Sequence, residues 1–581
     1  MYDTFTHFGE LYKHLESSSD KKDFLHHKHN GTWQTYSKET FLESIRYLTL
    51  AFDAHGWKGK QVAIAVSPSA HWLMFDYALM LCGAVSVPLF TNISSKNLHF
   101  EFLDASMRTA FIETDRQKDL ISQVDKDIEV VFIENVSGYK SLEDFRKEGR
   151  EIHRSDPMLF DTILGRIKPH HLATIVYTSG TSGTPKGVEL SHANLISQIH
   201  ATAENYHFDK KEDIAFSFLP LAHIFERMVM HFYLSRELSV YFADDVKNVG
   251  VLLKEVNPTV MTVVPRLLEK VFFKMKLKAM EGSFIKKALV KYAFHRAVTK
   301  DPYAPKGIVD KLLDTIVYKK LRPALGSRMH MMISGGAALP DALYKFYLNI
   351  GTPIYQGYGQ TESSPVIAAN TPEENKIGTV GKPFPHIKVM LSPENELLVK
   401  GPNVMLGYHN NKEATEKTID KEGWLHTGDL ATIDDEGYVS ITGRTKELLK
   451  TSTWEYITAV YIEQKLTSNG WFEQALVVGD GKPYVTTLLF IEHEFLGRLA
   501  TSMNTTALKA LESDKFKAMT GKFISKLNKK LNHWEKIREY RVIADELSIE
   551  KGDLTPSMKL AKNHLMDVYE DEIEGMYAEQ V

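Results

Sequence analysis

Short apolar runs bounded by turn residues recur along this chain, each followed by a stretch with helical periodicity, and this alternation restricts the fold more than any other feature. "QVAIAV", from Gln61 to Val66, leads into the helical "HWLMFDYALMLCG" and then into "AVSVPLF", which Pro88 closes; "TAFIET", "EVVFIE", "LATIVYTSG" and "SVYFAD" repeat the pattern. Strands separated by amphipathic helices assemble into parallel-rich sheets with helices on both faces, so the expected class is α/β. From about Gly378 to Ile441 the texture changes to short β-like pieces with Gly and Pro turns, such as "IKVMLSPENELLVKGPNVMLGY" and "GYVSITGR". A small, mostly antiparallel unit is expected there, at about 375–445. The last part of the chain is again mixed, and helix-rich toward its end.

The length of 581 residues exceeds what one hydrophobic core sustains, and a 43% hydrophobic composition fills more than one. A formal charge of −4 argues against a nucleic-acid binder with a basic surface throughout. The single cysteine, Cys82, excludes an intrachain disulfide and a Cys-based zinc site, and fits a reducing compartment. The 24 histidines are scattered rather than spaced as metal ligands. The longest apolar run, Tyr77 to Phe90, has 14 residues and contains Gly83 and Pro88, too short and too broken to span a membrane. The amino-terminal "MYDTFTHFGELYKHLESSSDKK" lacks the marks of a secretory signal, so a cytoplasmic location is expected.

One stretch carries chemistry. In "YTSGTSGTPKGVELSHANL", Tyr177 to Leu195, a strand runs into a turn-rich loop that opens a helix, with Ser191 as its N-cap. Gly180, Gly183 and Gly187 leave main-chain N–H groups unshielded, Thr178, Ser179, Thr181, Ser182 and Thr184 add hydroxyls, and Lys186 adds a positive charge. Such a loop suits phosphate oxygens. It is not a Walker A loop, because Gly187 follows Lys186 and the spacing from Gly180 differs, and no G-x-G-x-x-G occurs here. Taken alone, the stretch also reads as a Gly/Ser/Thr-rich surface turn.

The stretch resembles throughout the phosphate-loop signature of the adenylate-forming superfamily of acyl-CoA synthetases, luciferases and peptide-synthetase adenylation domains. Further signatures follow in order: "LPLAHIFER" (Leu219 to Arg227), "SGGAALP" (Ser334 to Pro340), "YQGYGQTE" (Tyr355 to Glu362), "HTGDL" (His426 to Leu430), "GRTKEL" (Gly443 to Leu448) and "LTPSMKL" (Leu554 to Leu560). "LPLAHIFERM" and "VVPRLLEKV" resemble the branch that activates long-chain fatty acids. The resemblance spans roughly Gly31 to Lys562.

It implies an AMP-forming ligase that uses ATP and Mg²⁺ to make an acyl-adenylate from a fatty acid and then hands the acyl group to CoA. Lys186 and the loop residues would hold the β- and γ-phosphates, and Glu362 with Thr178 the Mg²⁺. Tyr358 would lie against adenine, Gly335 and Gly336 would let the main chain approach it, and Gln356, Gly357 and Thr361 would complete the pocket. Asp429 and Arg444 are assigned to the ribose hydroxyls. His223 would orient the acyl and phosphate groups rather than act as a strong base, and Lys559 would reach the attacking carboxylate and the α-phosphate. Where some bacterial relatives place a gating tryptophan, four residues after this histidine, the chain has Arg227.

Lys446 falls at the family's hinge, which divides an N-terminal domain over residues 1–445 from a smaller, mobile α+β domain over 446–581. Rotation of that domain would bring Lys559 in for the first half-reaction and remove it for the second.

In one place the pattern departs from the family. After "GRTKELLK", relatives continue with paired glycines that admit the pantetheine arm of CoA, whereas this chain has Thr453 and Trp454. Acyl transfer to a carrier protein or another acceptor is therefore an alternative to CoA, and a non-catalytic lipid or nucleotide binder a third reading. The segment Arg266 to Lys300 holds ten Lys/Arg against two Glu, with Phe272, Phe273, Phe284, Tyr292 and Phe294 among them. Such a surface fits peripheral contact with an anionic membrane at its inner face, or else the solvated faces of packed helices.

Overall fold

A computed structural model of the chain describes residues 5–29, 31–178, 185–445, 448–452 and 455–578. Ser179, Gly180, Thr181, Ser182, Gly183, Thr184, Lys446, Thr453 and Trp454 lie outside them.

The alternation resolves into two large sheets. In the first, strands β1 (Gln61–Ala65), β2 (Val85–Pro88), β3 (Thr109–Ile112) and β4 (Glu129–Phe132) run parallel in the order β2-β1-β3-β4, and β5 (Leu172–Thr178) joins β2 in parallel. The second carries β7 (Ile214–Ser217), β8 (Ser239–Phe242), β9 (Val260–Val263), β10 (Met331–Ser334) and β11 (Ile354–Gly359), parallel in the order β8-β7-β9-β10-β11, with β12 (Val366–Ala369) antiparallel at the side of β11. A smaller antiparallel sheet is built from Lys388–Leu391, Glu396–Lys400, β13 (Leu425–Ile433) and β14 (Val439–Arg444). Beyond it, Phe472–Val478, Val485–Ile491 and Ile537–Ile543 form a mixed three-stranded sheet with a core of its own. The class is α/β, with a larger N-terminal part and a smaller C-terminal one.

Helix α1 (Ala70–Cys82) shows why the pattern folds this way. It is apolar all round, so it has no face to offer water, and every residue except His71 is buried. The Ser69 hydroxyl caps it by accepting the Trp72 N–H at 3.2 Å, and Gly83 ends it in the left-handed region at φ +81°. Its one carboxylate, Asp76, is fully buried and must find a cation inside.

Two expectations need correction. Lys186 and Gly187 do not belong to a loop that opens directly into a helix: Lys186–Ser191 is a strand, β6, antiparallel to β5, with Lys186 opposite Thr178. Helix α2 (His192–Asn205) therefore starts only after β6, capped by Ser191 as expected. Gly187 misled because it reads as a turn residue. A Cβ there would come 2.8 Å from Ile175 Cγ2 and 3.2 Å from His409 Cβ, so glycine serves close packing within the sheet. The basic aromatic segment is likewise not one surface. It forms two helices, and Phe294 turns inward, 3% exposed, against Phe272 at 5.6 Å and Phe346 at 5.2 Å.

Candidate active site

Three of the quoted motifs, "LPLAHIFER", "SGGAALP" and "YQGYGQTE", lie at the carboxyl ends of strands of the second sheet, where open α/β sheets leave a crevice for ligands. Ser334 ends β10 and hands the chain to Gly335 and Gly336; Gln356, Gly357 and Tyr358 lie at the end of β11. The Gly335 N–H donates to Val263 O at 3.2 Å, and a Cβ at Gly335 would sit 2.9 Å from the Phe225 ring. Gly336, at φ +79°, takes a conformation that side chains avoid. The exposed main chain of this turn is therefore held tightly from below. Gln356 acts beneath it rather than in the open: its Oε1 accepts the Leu339 N–H at 3.3 Å and so braces the glycine turn.

Asp429, on β13, is the electrostatic centre of the crevice. It is 2% exposed, yet three donors reach it: the Tyr358 hydroxyl at 2.5 Å and Gln360 Nε2 at 2.8 Å on Oδ2, and Arg444 Nε at 2.7 Å on Oδ1. Arg444 arrives because β13 and β14 pair with Asp429 opposite Arg444. Burial and the adjoining carboxylate raise the Tyr358 phenol far above its ordinary range, so it stays a donor. Gln360, unremarked in the sequence, also donates to Thr427 O at 2.7 Å and completes the lock.

Lys186 and Glu362 meet through a residue the motifs did not include. The Lys186 ammonium lies 4.6 Å from the centre of the Tyr408 ring, and the Tyr408 hydroxyl donates to Glu362 Oε1 at 2.8 Å. Tyr408 stands there because Gly407–Tyr408 pairs antiparallel with β6, Tyr408 opposite Val188. Glu362 sits in a short helical turn begun by Thr361, and Met405 N–H donates to its carbonyl at 2.9 Å. Thr178 ends β5, its hydroxyl 3.5 Å from Lys186 O.

His223 caps helix α3 (Ile224–Ser235), its Nδ1 accepting the Phe225 N–H at 3.2 Å, which leaves the proton on Nε2. Burial first, and then the positive charge of Lys559, lower its pKa to about 4. The ring is thus a neutral donor at physiological pH, suited to orienting an oxygen and poorly suited to taking a proton. Lys559 is carried in by a tight turn: Thr555 N–H donates to Lys559 O at 2.8 Å, Thr555 Oγ1 accepts the Lys559 N–H at 3.1 Å, and Met558 has φ +63°. The turn that carries Lys559 belongs to the smaller C-terminal part, and the charge of this lysine is felt at His223.

Glu226, one helical turn on, was not anticipated. It is fully buried, accepts from Ser217 Oγ at 2.6 Å and from Thr262 Oγ1, and ties α3 to the ends of β7 and β9; burial raises its carboxyl to about 7. Arg227 is equally buried, donating to Asp76 and to Thr174 Oγ1, so its side chain is committed inside and is no gate.

Among the described residues no group of three or more His, Cys, Asp or Glu is placed to hold a metal ion. One carboxylate and a hydroxyl beside a lysine make a donor set that fits Mg²⁺, an ion that keeps water and takes substrate phosphate oxygens as ligands.

Comparison with known proteins bears on these motifs. The family described as AMP-binding enzyme matches residues 13–409, and its C-terminal domain matches residues 447–581. The chain belongs to the AMP-binding enzyme family. A long-chain-fatty-acid–CoA ligase, FadD15, of Mycobacterium bovis is 31% identical over 97% of this chain and 96% of its own. The ligase ACSBG2 of Xenopus laevis is 27% identical, covering 95% and 81%. The A domain of a carboxylic acid reductase from Segniliparus rugosus, solved with AMP and a co-purified carboxylic acid, superposes with a TM-score of 0.75 at 19% identity, covering 99% of this chain and 94% of that one, and shares the fold.

For a member of this family the state of His223 has a measurable consequence. The histidine is depressed below its unfolded value near 6.5, so its contribution to stability is complete above that pH and is lost as pH falls through about 4. Adenylation should accordingly show no limb near pH 6.5 from this group. By NMR titration, Lys559→Ala should raise the His223 pKa; an unchanged value would mean that the two side chains do not face each other in solution.

Proposed function

We propose that this enzyme activates a fatty acid with ATP, forming an acyl-adenylate and pyrophosphate, and then transfers the acyl group to CoA with release of AMP. The observation that carries the reading is the crevice where buried Asp429 is met by Tyr358, Gln360 and Arg444 and where Lys186 and Glu362 are joined through Tyr408; the charge of Lys559 felt at His223 supports it. A binder of nucleotide alone has no use for a lysine delivered by the C-terminal part. A long-chain acid is favoured by the names of the relatives.

In this reading the carboxylate of the acid attacks the α-phosphorus, the bond to the bridging oxygen breaks, and pyrophosphate leaves. The Lys559 ammonium offsets the charge that gathers as two anions approach, and His223 Nε2–H orients an oxygen at the reacting end. Asp429 and Arg444 hold the ribose, and Tyr358 carries the base while its hydroxyl keeps Asp429 in place. Lys186 and the hydroxyl-rich residues that follow β5 in the sequence, Ser179, Gly180, Thr181, Ser182, Gly183 and Thr184, grip the outer phosphates. Mg²⁺ on Glu362 and Thr178, when bound, would neutralise phosphate charge. We read Lys446 as the hinge between residues 1–445 and 446–581, supported by family matches that end at 409 and resume at 447. A peripheral place on the inner face of an anionic membrane belongs to the same reading, supported by exposed basic and apolar residues between 274 and 291.

Exchange of label between pyrophosphate and ATP, run over fatty acids from short to very long with Mg²⁺, is the test. Exchange that depends on the acid, with thioester once CoA is added, is expected. Exchange with acyl-AMP accumulating in the presence of CoA would move the second step to a carrier acceptor. No exchange with any acid would remove the reading altogether.

A further inference from the structure

Helix α4 (Pro265–Ala279) begins beside the crevice and ends far from it. Its preceding residues, Val263 and Val264, lie against Gly335 and Gly336, and fifteen residues at 1.5 Å each carry its other end about 22 Å away. There the chain reverses through Gly282, at φ +117°, into helix α5 (Phe284–Thr299), whose N-cap Ser283 accepts the Lys286 N–H at 3.4 Å. Residues 281–288 are all exposed, so the first turn of α5 stands clear of the core. That turn carries Phe284, 86% exposed, and Ile285, 80% exposed, and Leu277, near the end of α4, is 51% exposed. Large apolar side chains offered to water at adjoining positions are costly for an isolated molecule. Between residues 274 and 291 the hairpin holds six lysines against one acid, Glu281.

We propose that the tip of the α4–α5 hairpin is a docking surface for an anionic lipid bilayer. Phe284, Ile285 and Leu277 would enter the acyl boundary while the lysine stems lie along the interface with their charges at the headgroup phosphates. The occupant follows from the chemistry of the tip. A nucleic acid would match the lysines and leave the phenylalanine and isoleucine in water, and an apolar protein groove would leave the lysines unmatched. No helix among the described residues is long and apolar enough to cross a membrane, so contact through this tip is peripheral. The aromatic rings behind the tip, Phe272, Phe294 and Phe346, connect it to the second core, so the hairpin is anchored as one piece. Its consequence for substrate supply rests on the fatty-acid reading above: a molecule docked by this tip holds its crevice one helix length from the place where free fatty acids reside.

Vesicle flotation tests the docking without reference to catalysis. The full chain should float with phosphatidylcholine vesicles that contain phosphatidylglycerol, and much less with phosphatidylcholine alone. Phe284→Ser with Ile285→Ser, and separately Lys286→Glu with Lys287→Glu, should each lower partition onto the anionic vesicles by about tenfold or more. Because these side chains touch no core, both variants should keep wild-type adenylation of an acid supplied in detergent, which separates a failure of docking from a failure of the enzymatic reading. Flotation equal on neutral and anionic vesicles, or wild-type flotation of both variants, would overturn the proposal. So would sedimentation showing a wild-type dimer that the Phe284→Ser, Ile285→Ser pair dissociates while vesicle binding is unchanged, since the tip would then be an interface between copies.

Discussion

Lys559→Ala should slow fatty-acid-dependent pyrophosphate exchange by roughly 10²- to 10³-fold, the cost of removing one preorganised charge from a transition state that gathers negative charge. The same variant, given preformed acyl-adenylate and CoA, should make thioester at close to the wild-type rate. The split follows from where the lysine sits. It is carried by the turn between Leu554 and Leu560, which pair across it, whereas Asp429 is held by Tyr358, Gln360 and Arg444. Its loss therefore leaves the nucleotide crevice intact. Lys559→Arg keeps the charge but spreads it over a planar group, and should recover only part of the rate. Equal loss of both half-reactions in the alanine variant would mean that Lys559 serves the fold or both chemical steps, and the two-conformation account would fail.

Local pattern stops informing where a side chain's partner comes from a distant part of the chain. Asp429, Arg444, Tyr358 and His223 were legible because each lies in a contiguous motif. Their partners were not. Tyr408 stands between Lys186 and Glu362 through strand pairing that joins residues more than two hundred positions apart, and no window of sequence contains that register. Gln360 sits inside a quoted motif, yet its use depends on Asp429 and Thr427 from the other sheet. Gly187 carries the mark of a turn, whereas the reason for glycine is a neighbour, Ile175, on the paired strand. Basic residues surround Phe294 in the sequence, yet helical geometry sends alternate faces of that stretch to the core and to water, and Phe294 lies on the core face. In each case the residue type was informative and the partner came from tertiary contact.

The second large effect concerns stability. Arg227 and Asp76 are both fully buried, with Arg227 Nε 2.9 Å from Oδ2 and Nη2 2.5 Å from Oδ1, while Thr174 Oγ1 takes Nη1 at 2.6 Å and Ser86 donates to Oδ1 at 2.7 Å. Every charged atom of the pair that faces inward is thus met, which is the condition for tolerating ions in a dry core. Arg227→Met fills a similar volume but strands the Asp76 carboxylate, and should cost about 3–5 kcal/mol in urea unfolding. The neighbouring His231 does not rescue it: His231 lies 3.5 Å from Oδ2, and burial, then Arg227, hold its pKa far below the usual value, so the ring is neutral. Removing Arg227 lifts one of those two causes, and the variant should lose least stability at low pH, where Asp76 can take a proton and become neutral. Asp76→Asn added to Arg227→Met should restore much of the loss by taking away the unpaired charge. A single-variant loss below about 1 kcal/mol would place the pair among dispensable contacts. A double variant no more stable than Arg227→Met would trace the loss to packing around α1 and α3 rather than to the stranded carboxylate.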